Sequence, residues 1–245
     1  MKTAIVTGAG KGIGQALTRR LINLDYKVYG LSRSFDVSAD LGSDSVLPGS
    51  DQGRFIAVTC DLLDTSDLIR KIEAIIQEEP RIDLLVNNAG VGFFGPHEQL
   101  TVQRIQTMTR TNLEVPLILA KLLLRPLKDS QGTILSISSA AARKISTHGC
   151  AYAATKAGLA HFSASLFEEI RKAGVKVVTL LPDMTESHFY DKLDFTYAQE
   201  SDAYILADQV ADALEYVLQA DRNLVVEELV LRPQKNRIIR KKPQT

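Results

Sequence analysis

The segment YAATK, residues 152 to 156, sets a phenol and an ammonium four positions apart in a run of small, helix-favouring residues. Residues at that spacing share one helical face, so Tyr152 and Lys156 are expected side by side. A free phenol titrates near ~10, and a proton donor or acceptor works best with its pKa near the working pH. An ammonium roughly 4 Å away is worth about 4 kcal/mol at an effective dielectric of 20, or about 3 pKa units. The pair is therefore expected to bring Tyr152 toward neutrality, ready to give a proton to an oxygen on which negative charge develops. The plainer reading of the same residues is two amphipathic side chains on a helix surface.

A second chemical signal lies at the amino end, where TAIVTGAGKGIGQAL runs an apolar strand into a glycine-rich turn and then a helix with Ile13 and Leu17 on one side. Glycines let the backbone approach an anion closely, and the N–H groups and dipole of a helix start favour negative charge, so the turn suits a pyrophosphate. Gly8, Gly10, Gly12 and Gly14 do not match G-x-G-x-x-G; with Thr7 they fit T-G-x-x-x-G-x-G. A tight strand-to-helix turn without a ligand would use the same glycines.

The elements that must position these groups follow from hydrophobic period. Apolar runs of strand length alternate with longer stretches of helical period, the pattern of β-α-β units on a parallel sheet. Strands are expected at 3–7, 27–31, 55–58, 83–86, 132–138, 175–181 and 225–231, and helices at 12–24, 64–79, 100–125, 152–172 and 206–220. DTSD supplies capping residues for the second helix, and Gly174 sits where the fourth should end. The fold class is α/β, a single domain over 1–245 with a seven-stranded parallel sheet and helices on both faces. Residues 34–54, rich in Ser, Asp and Gly, are expected to be mostly loop. The segment 183–205 carries Phe189, Tyr190, Phe195, Tyr197 and Tyr204 between a strand and a helix and is read as a substrate loop or lid. The basic tail, 236–245, is expected to be a frayed, solvated terminus.

Bulk composition narrows the function classes. Twenty-nine basic residues balance 29 acidic ones, so net charge offers no footprint for nucleic acid or an anionic membrane. The start, MKTAIVTGAG, is no secretory signal and no apolar run reaches membrane-spanning length, so a cytoplasmic protein is expected. Cys60 and Cys150 form no disulfide framework, and His97, His148, His161 and His188 are scattered, so no metal site is expected. Cys150 reads as inert filler, and His148 as a loop histidine or a substrate contact.

Five motifs occur in order: the glycine turn, NNAG at 87–90, TN at 111–112, SISS at 136–139 and Tyr-x-x-x-Lys at 152–156. Together they make the sequence resemble the short-chain dehydrogenase/reductase family over nearly its whole length. That resemblance implies a doubly wound Rossmann domain with nicotinamide chemistry at the carboxyl ends of the strands. It implies Tyr152 as acid/base, Lys156 also bonding the nicotinamide ribose, Ser139 polarising a substrate carbonyl, and Asn112 joining the lysine to a water chain. Pro116, just after Asn112, suggests a local kink. Cofactor contacts implied in the same way are Gly8, Lys11, Gly12, Ile13 and Gly14 in the turn, Asn88, Ala89 and Gly90 in NNAG, and Asp61 with Leu62 at the adenine. Pro182 and Thr185 are implied near the nicotinamide. One departure is Asp183, where family members usually carry a glycine that allows positive φ, which puts the local geometry in question.

In GLSRS, Ser32 stands where NAD-dependent members usually carry Asp, and Arg33 follows it. Arginine suits a 2'-phosphate and Lys11 adds a second cation, so NADP(H) is the expected cofactor. An exposed surface arginine is the alternative. Phe93, Phe94, Phe189 and Tyr190 would line a substrate pocket or pack the core. LVVEELVLRPQ is similar to sepiapterin-reductase-like members, and the amino half to 3-oxoacyl-carrier-protein reductases. The family implies a homodimer or homotetramer through helices 100–125 and 152–172. The expected function is an NADPH-dependent carbonyl reductase or alcohol dehydrogenase acting on a small carbonyl or alcohol; the alternative is an NADP-binding regulatory or scaffold protein without turnover.

Overall fold

The computed structural model describes residues 1–35 and 53–241, so most of the loop expected at 34–54 lies outside the described residues. Along the chain run β1 (Lys2–Thr7), α1 (Gly12–Asn23), β2 (Tyr26–Ser32), β3 (Phe55–Thr59), α2 (Thr65–Glu78) and β4 (Leu84–Asn87). Next come α3 (Val102–Thr109), α4 (Val115–Ser130), β5 (Thr133–Ile137), α5 (Cys150–Ile170) and β6 (Lys176–Pro182). The chain then forms β7 (Phe195–Tyr197), α6 (Ala207–Gln219), β8 (Glu228–Leu231) and β9 (Ile238–Arg240).

Seven of these strands make one sheet in the order β3-β2-β1-β4-β5-β6-β8, with every neighbouring pair parallel. Helices cover both faces, and alternate strand residues feed the two sides. Ala4 and Val6 pack with Leu17 and Leu21 of α1 and Val210 and Leu214 of α6. Ile5, between them, faces Leu68 of α2, Leu119 and Leu123 of α4, and Phe167 of α5. A strand buried on both sides reads as an unbroken apolar run, which is why β1 is legible as AIV. Strand order reverses between β1 and β4, and such a switch point opens a crevice at the carboxyl ends of the strands.

Local chemistry sets several boundaries. Asp64 caps α2 by accepting from the Asp67 N–H at 3.0 Å. After α5 a single tight turn ends at Gly174, left-handed at φ 81°. The helix expected at 100–125 is instead α3, one π turn over Arg110–Glu114, and α4 running on to Ser130. Pro116 has no N–H to offer the Asn112 carbonyl four residues back, so the ladder slips by one residue there. The last sheet strand starts at Glu228, not at 225.

The tail reading is corrected. Ile238–Arg240 pairs antiparallel with Phe195–Tyr197, inside the expected substrate loop. Ion pairs flank this ribbon: Lys235 with Asp202 at 2.7 Å and Arg237 with Glu200 at 3.3 Å. The run from Asn236 to Lys241 is exposed, as a solvated tail would be, but it is not frayed over Ile238–Arg240, whose backbone has a partner strand.

Candidate active site

The glycine turn leaves β1 against the end of β4. Gly8 and Gly12 take positive φ, 68° and 56°. A Cβ at Gly14 would run into the Gly8 carbonyl oxygen, and one at Gly8 would press within 3.0 Å of Asn88 Nδ2. No side chain caps the start of α1 at Lys11. Backbone without side chains, leading into an uncapped helix, is a cradle that fits a pyrophosphate. Asn88 holds it from behind, donating from Nδ2 to the Thr7 carbonyl at 2.9 Å, while the Asn88 and Ala89 N–H groups donate to the Thr7 hydroxyl at 3.0 Å. By contrast, both polar atoms of the buried Asn87 side chain have no partner among the described residues.

Gly10 packs against the end of β2, where a Cβ would come within 2.8 Å of the Ser32 hydroxyl oxygen. The turn carrying Lys11 and the strand end carrying Arg33 are thus neighbours, and both cations are exposed. Asp61 accepts from the Leu63 N–H at 3.0 Å, closing the turn after β3, and Leu62 is buried with the α2 side of the core. Ile13 packs at the edge of the other core cluster.

Tyr152 and Lys156 emerge from α5 and are both buried, 8% and 4% exposed. The Lys156 amine donates to the Ile137 carbonyl at 2.9 Å, and the Ser138 hydroxyl donates to the Lys156 carbonyl at 2.8 Å, fixing α5 to the end of β5. Ser139 caps the short turn after β5, accepting from the Ala141 N–H at 3.1 Å, and its hydroxyl also interacts with the Tyr152 phenol. Asn112, wholly buried in the π turn, exchanges two hydrogen bonds of 2.8 Å with the Val91 backbone and donates to the Thr155 hydroxyl at 3.0 Å. Its side chain therefore joins the segment after NNAG to α5 and is not bonded to Lys156 directly. Gly90 leaves the space between them, since a Cβ there would lie 3.2 Å from the Lys156 amine and 3.5 Å from Asn112 Oδ1.

The expected acidity of Tyr152 is reversed. Burial pushes the phenol up to about 12, with the Asp183 carboxylate adding to the rise and the Ser139 hydroxyl opposing it. Burial also brings the Lys156 amine down to about 8. Charge attraction is only one side of the balance, because desolvation penalises phenolate and ammonium alike.

Aromatic rings close over the phenol. Phe94 and Phe189 lie 5.2 and 5.7 Å from the Tyr152 ring centre, and Phe195 stands edge-on to Phe94 at 5.1 Å. Gly92 and Gly149 make the room, since a Cβ at either would strike the Phe94 ring. Two more residues of the substrate loop, Ser187 and His188, reach back to the glycine turn, where a Cβ at Gly12 would sit 3.3 Å from the Ser187 Cβ. Thr185, buried, donates to the Asp183 carbonyl at 2.9 Å, and Pro182 ends β6. Asp183 itself avoids positive φ, so the backbone needs no glycine there, and its carboxylate meets Lys144 and Asn236.

The family model described as short chain dehydrogenase matches residues 2–197. The chain belongs to that family. It is 30% identical over 242 residues to serine 3-dehydrogenase of Rhizobium radiobacter, covering 94% of this chain and 93% of that one. To sepiapterin reductase of Chlorobaculum tepidum it is 30% identical over 237 residues, covering 94% and 95%. A metagenomic short-chain oxidoreductase solved in complex with NADP superposes with a TM-score of 0.76 at 27% identity, covering 95% of this chain and 96% of that one. As a short-chain dehydrogenase the protein is an oxidoreductase of the Rossmann class, and the crevice just described is where that fold carries its nicotinamide chemistry.

This family member keeps the five motifs together in space, but several residues around them were not singled out from sequence. Ser138 and the Ile137 carbonyl, which anchor α5, have no sequence signal apart from lying next to Ser139. Cys150, read as filler, is exposed, with its sulfur 3.5 Å from His97 Nδ1. Lys144 and Asn236 come to Asp183 from 39 and 53 positions away, and nothing local marks such partners. Among the described residues no cluster of His, Cys, Asp or Glu could hold a metal ion, and no helix is long and apolar enough to cross a membrane.

Proposed function

We propose that this short-chain dehydrogenase is an NADPH-dependent carbonyl reductase, equivalently an alcohol dehydrogenase in reverse, with Tyr152 as its acid. The observation that carries this reading is the buried Tyr152 phenol with Ser139 and Lys156 beside it, at the carboxyl ends of β5 and β6. When bound, the dinucleotide supplies the hydride. Gly8, Gly12, Ile13 and Gly14 hold its pyrophosphate through the backbone, Asn88, Ala89 and Gly90 line its path, Asp61 and Leu62 take the adenine, and Pro182 and Thr185 take the nicotinamide. Arg33 and Lys11 neutralise a 2'-phosphate, with Ser32 leaving room for it, and the NADP complex of the metagenomic relative supports that choice.

A phenol held at about 12 is protonated throughout the neutral range and is thus a ready donor. Giving that proton to a nascent alkoxide remains favourable, because an alcohol, like water, is a far weaker acid than the phenol. The reverse reaction uses the same group as phenolate, the form that burial disfavours in the protein without ligand. Ser139 donates to the same oxygen as charge develops, and the rings of Phe94 and Phe189 exclude water from it. They also favour a small carbonyl compound with apolar substituents.

The test is NADPH absorbance decay against aldehydes, ketones, dicarbonyls, pterins and oxoacyl thioesters. Turnover of one class, abolished by Tyr152→Phe, is expected. Tight NADPH binding with no turnover across the panel would transfer the protein to the scaffold reading.

A further inference from the structure

Asp183 follows Pro182 at the end of β6, and its carboxylate is fully engaged. Oδ1 accepts from the Met184 N–H at 3.1 Å and from the Lys144 amine at 3.2 Å; Oδ2 accepts from Lys144 at 3.0 Å and from Asn236 Nδ2 at 2.9 Å. The Asp183 side chain is 9% exposed, against 42% for Lys144. A carboxylate so far out of water is costly unless each oxygen is satisfied, so this arrangement is a built node and no surface accident. Its partners come from separate places. Lys144 follows the turn capped by Ser139, and Asn236 leads into β9, the strand that pairs with the substrate loop. Asp183 sits at the end of β6, and its own N–H donates to the Leu231 carbonyl at 2.9 Å.

We infer that Asp183 is a positioning residue that, with Lys144 and Asn236, locks the Ser139 turn, the end of β6 and the carboxyl-terminal segment into one wall beside the Tyr152 phenol. The wall holds the ribbon over the site, so the substrate loop keeps its shape only while the node is intact. The carboxylate also adds, after burial, to the rise of the phenol pKa. The groups facing that phenol are Lys156 from α5, Ser139 from the turn after β5, Tyr190 from the substrate loop and Asp183 itself. Lys144 faces the carboxylate and partly offsets it. Among these, Asp183 is the one negative charge, and it reinforces the burial that holds Tyr152 in its proton-donating form. That consequence rests on Tyr152 being the acid; the clamp does not.

Two readouts that need no turnover test the node. Tyrosinate absorbance, taken as the difference between the protein and Tyr152→Phe, gives the titration of residue 152. Trypsin cleavage at Arg237, Arg240 and Lys241 reports the release of the tail. In Asp183→Asn the phenol should titrate at lower pH and the tail should be cut about tenfold faster, as expected for losing a charged hydrogen bond. If Asp183→Asn fails to fold, Lys144→Met and Asn236→Ala take its place: the first should raise the titration of the phenol, the second should speed cleavage. A wild-type value for either readout overturns the inference. Failure of every carbonyl in the NADPH panel would remove the proposed activity and leave both of these readouts standing.

Discussion

The Lys156 amine lies 5.9 Å from the centre of the Tyr152 ring and gives its hydrogen bond to the Ile137 carbonyl, not to the phenol. Burial raises the phenol pKa and brings the amine itself down to about 8, so desolvation governs both groups. In the protein without ligand, the tyrosinate signal assigned to Tyr152 should therefore appear only above pH ~10, the ordinary value of a phenol, and centre at about 12. A midpoint near neutrality in the same difference titration would show that the charge of Lys156 dominates after all.

Tyr152→Phe should lower carbonyl reduction by about 10³-fold, the scale of a lost general acid, while the Kd for NADPH stays within about twofold. Fluorescence titration of NADPH separates the two effects. A variant that turns over normally would assign the proton to another group.

Lys156→Met should stabilise the protein near neutral pH. The folded pKa is depressed from 10.5 to about 8, so the unfolded chain binds more protons between those values and stability rises with pH across that window. Below about pH 8 the buried charge costs on the order of 3 kcal/mol. Removing it, and with it the bond to Ile137, should gain on the order of 2 kcal/mol at pH ~7 and little by pH ~9.5. Urea unfolding at the two pH values checks the sign, and equal gains at both would contradict it. Turnover should be lost at either pH.

Arg33→Ala should raise the Kd for NADPH by about 10- to 100-fold, the range of a charge-assisted hydrogen bond. NADH should be nearly unaffected, since Arg33 is exposed and NADH carries no 2'-phosphate. Equal weakening of both cofactors, measured by the same fluorescence titration, would remove the NADP assignment.

Gly14→Ala should abolish dinucleotide binding. The added methyl has no room between the Gly8 carbonyl and Asn88, and both are backbone or pinned to backbone, so neither yields cheaply. A loss of about 1 to 3 kcal/mol in thermal or urea stability should accompany it. Wild-type NADPH affinity in this variant would show that the turn can open.

The carbonyl ends of the strands, the glycine turn and the Tyr152–Lys156 spacing were legible in the chain itself because each is a local signal. Apolar runs buried on both faces mark strands, small residues mark a close backbone approach, and a spacing of four marks a shared helical face. The slip at Asn112 was half legible: Pro116 announced a disturbance, but whether a kink or a π turn results depends on the bonds Asn112 makes to Val91 and Thr155. The pairing of the tail was not legible, since the exposed Ile238–Arg240 carries no local strand signal until Phe195–Tyr197 is brought beside it.

Sequence alone determined which residue types lie along the crevice and in what order, because strand, turn and helix signals are carried by neighbours in the chain. Tertiary structure alone decided how acidic those residues are and what Asp183 does, because burial and partners drawn from distant segments set the free energy of a charge.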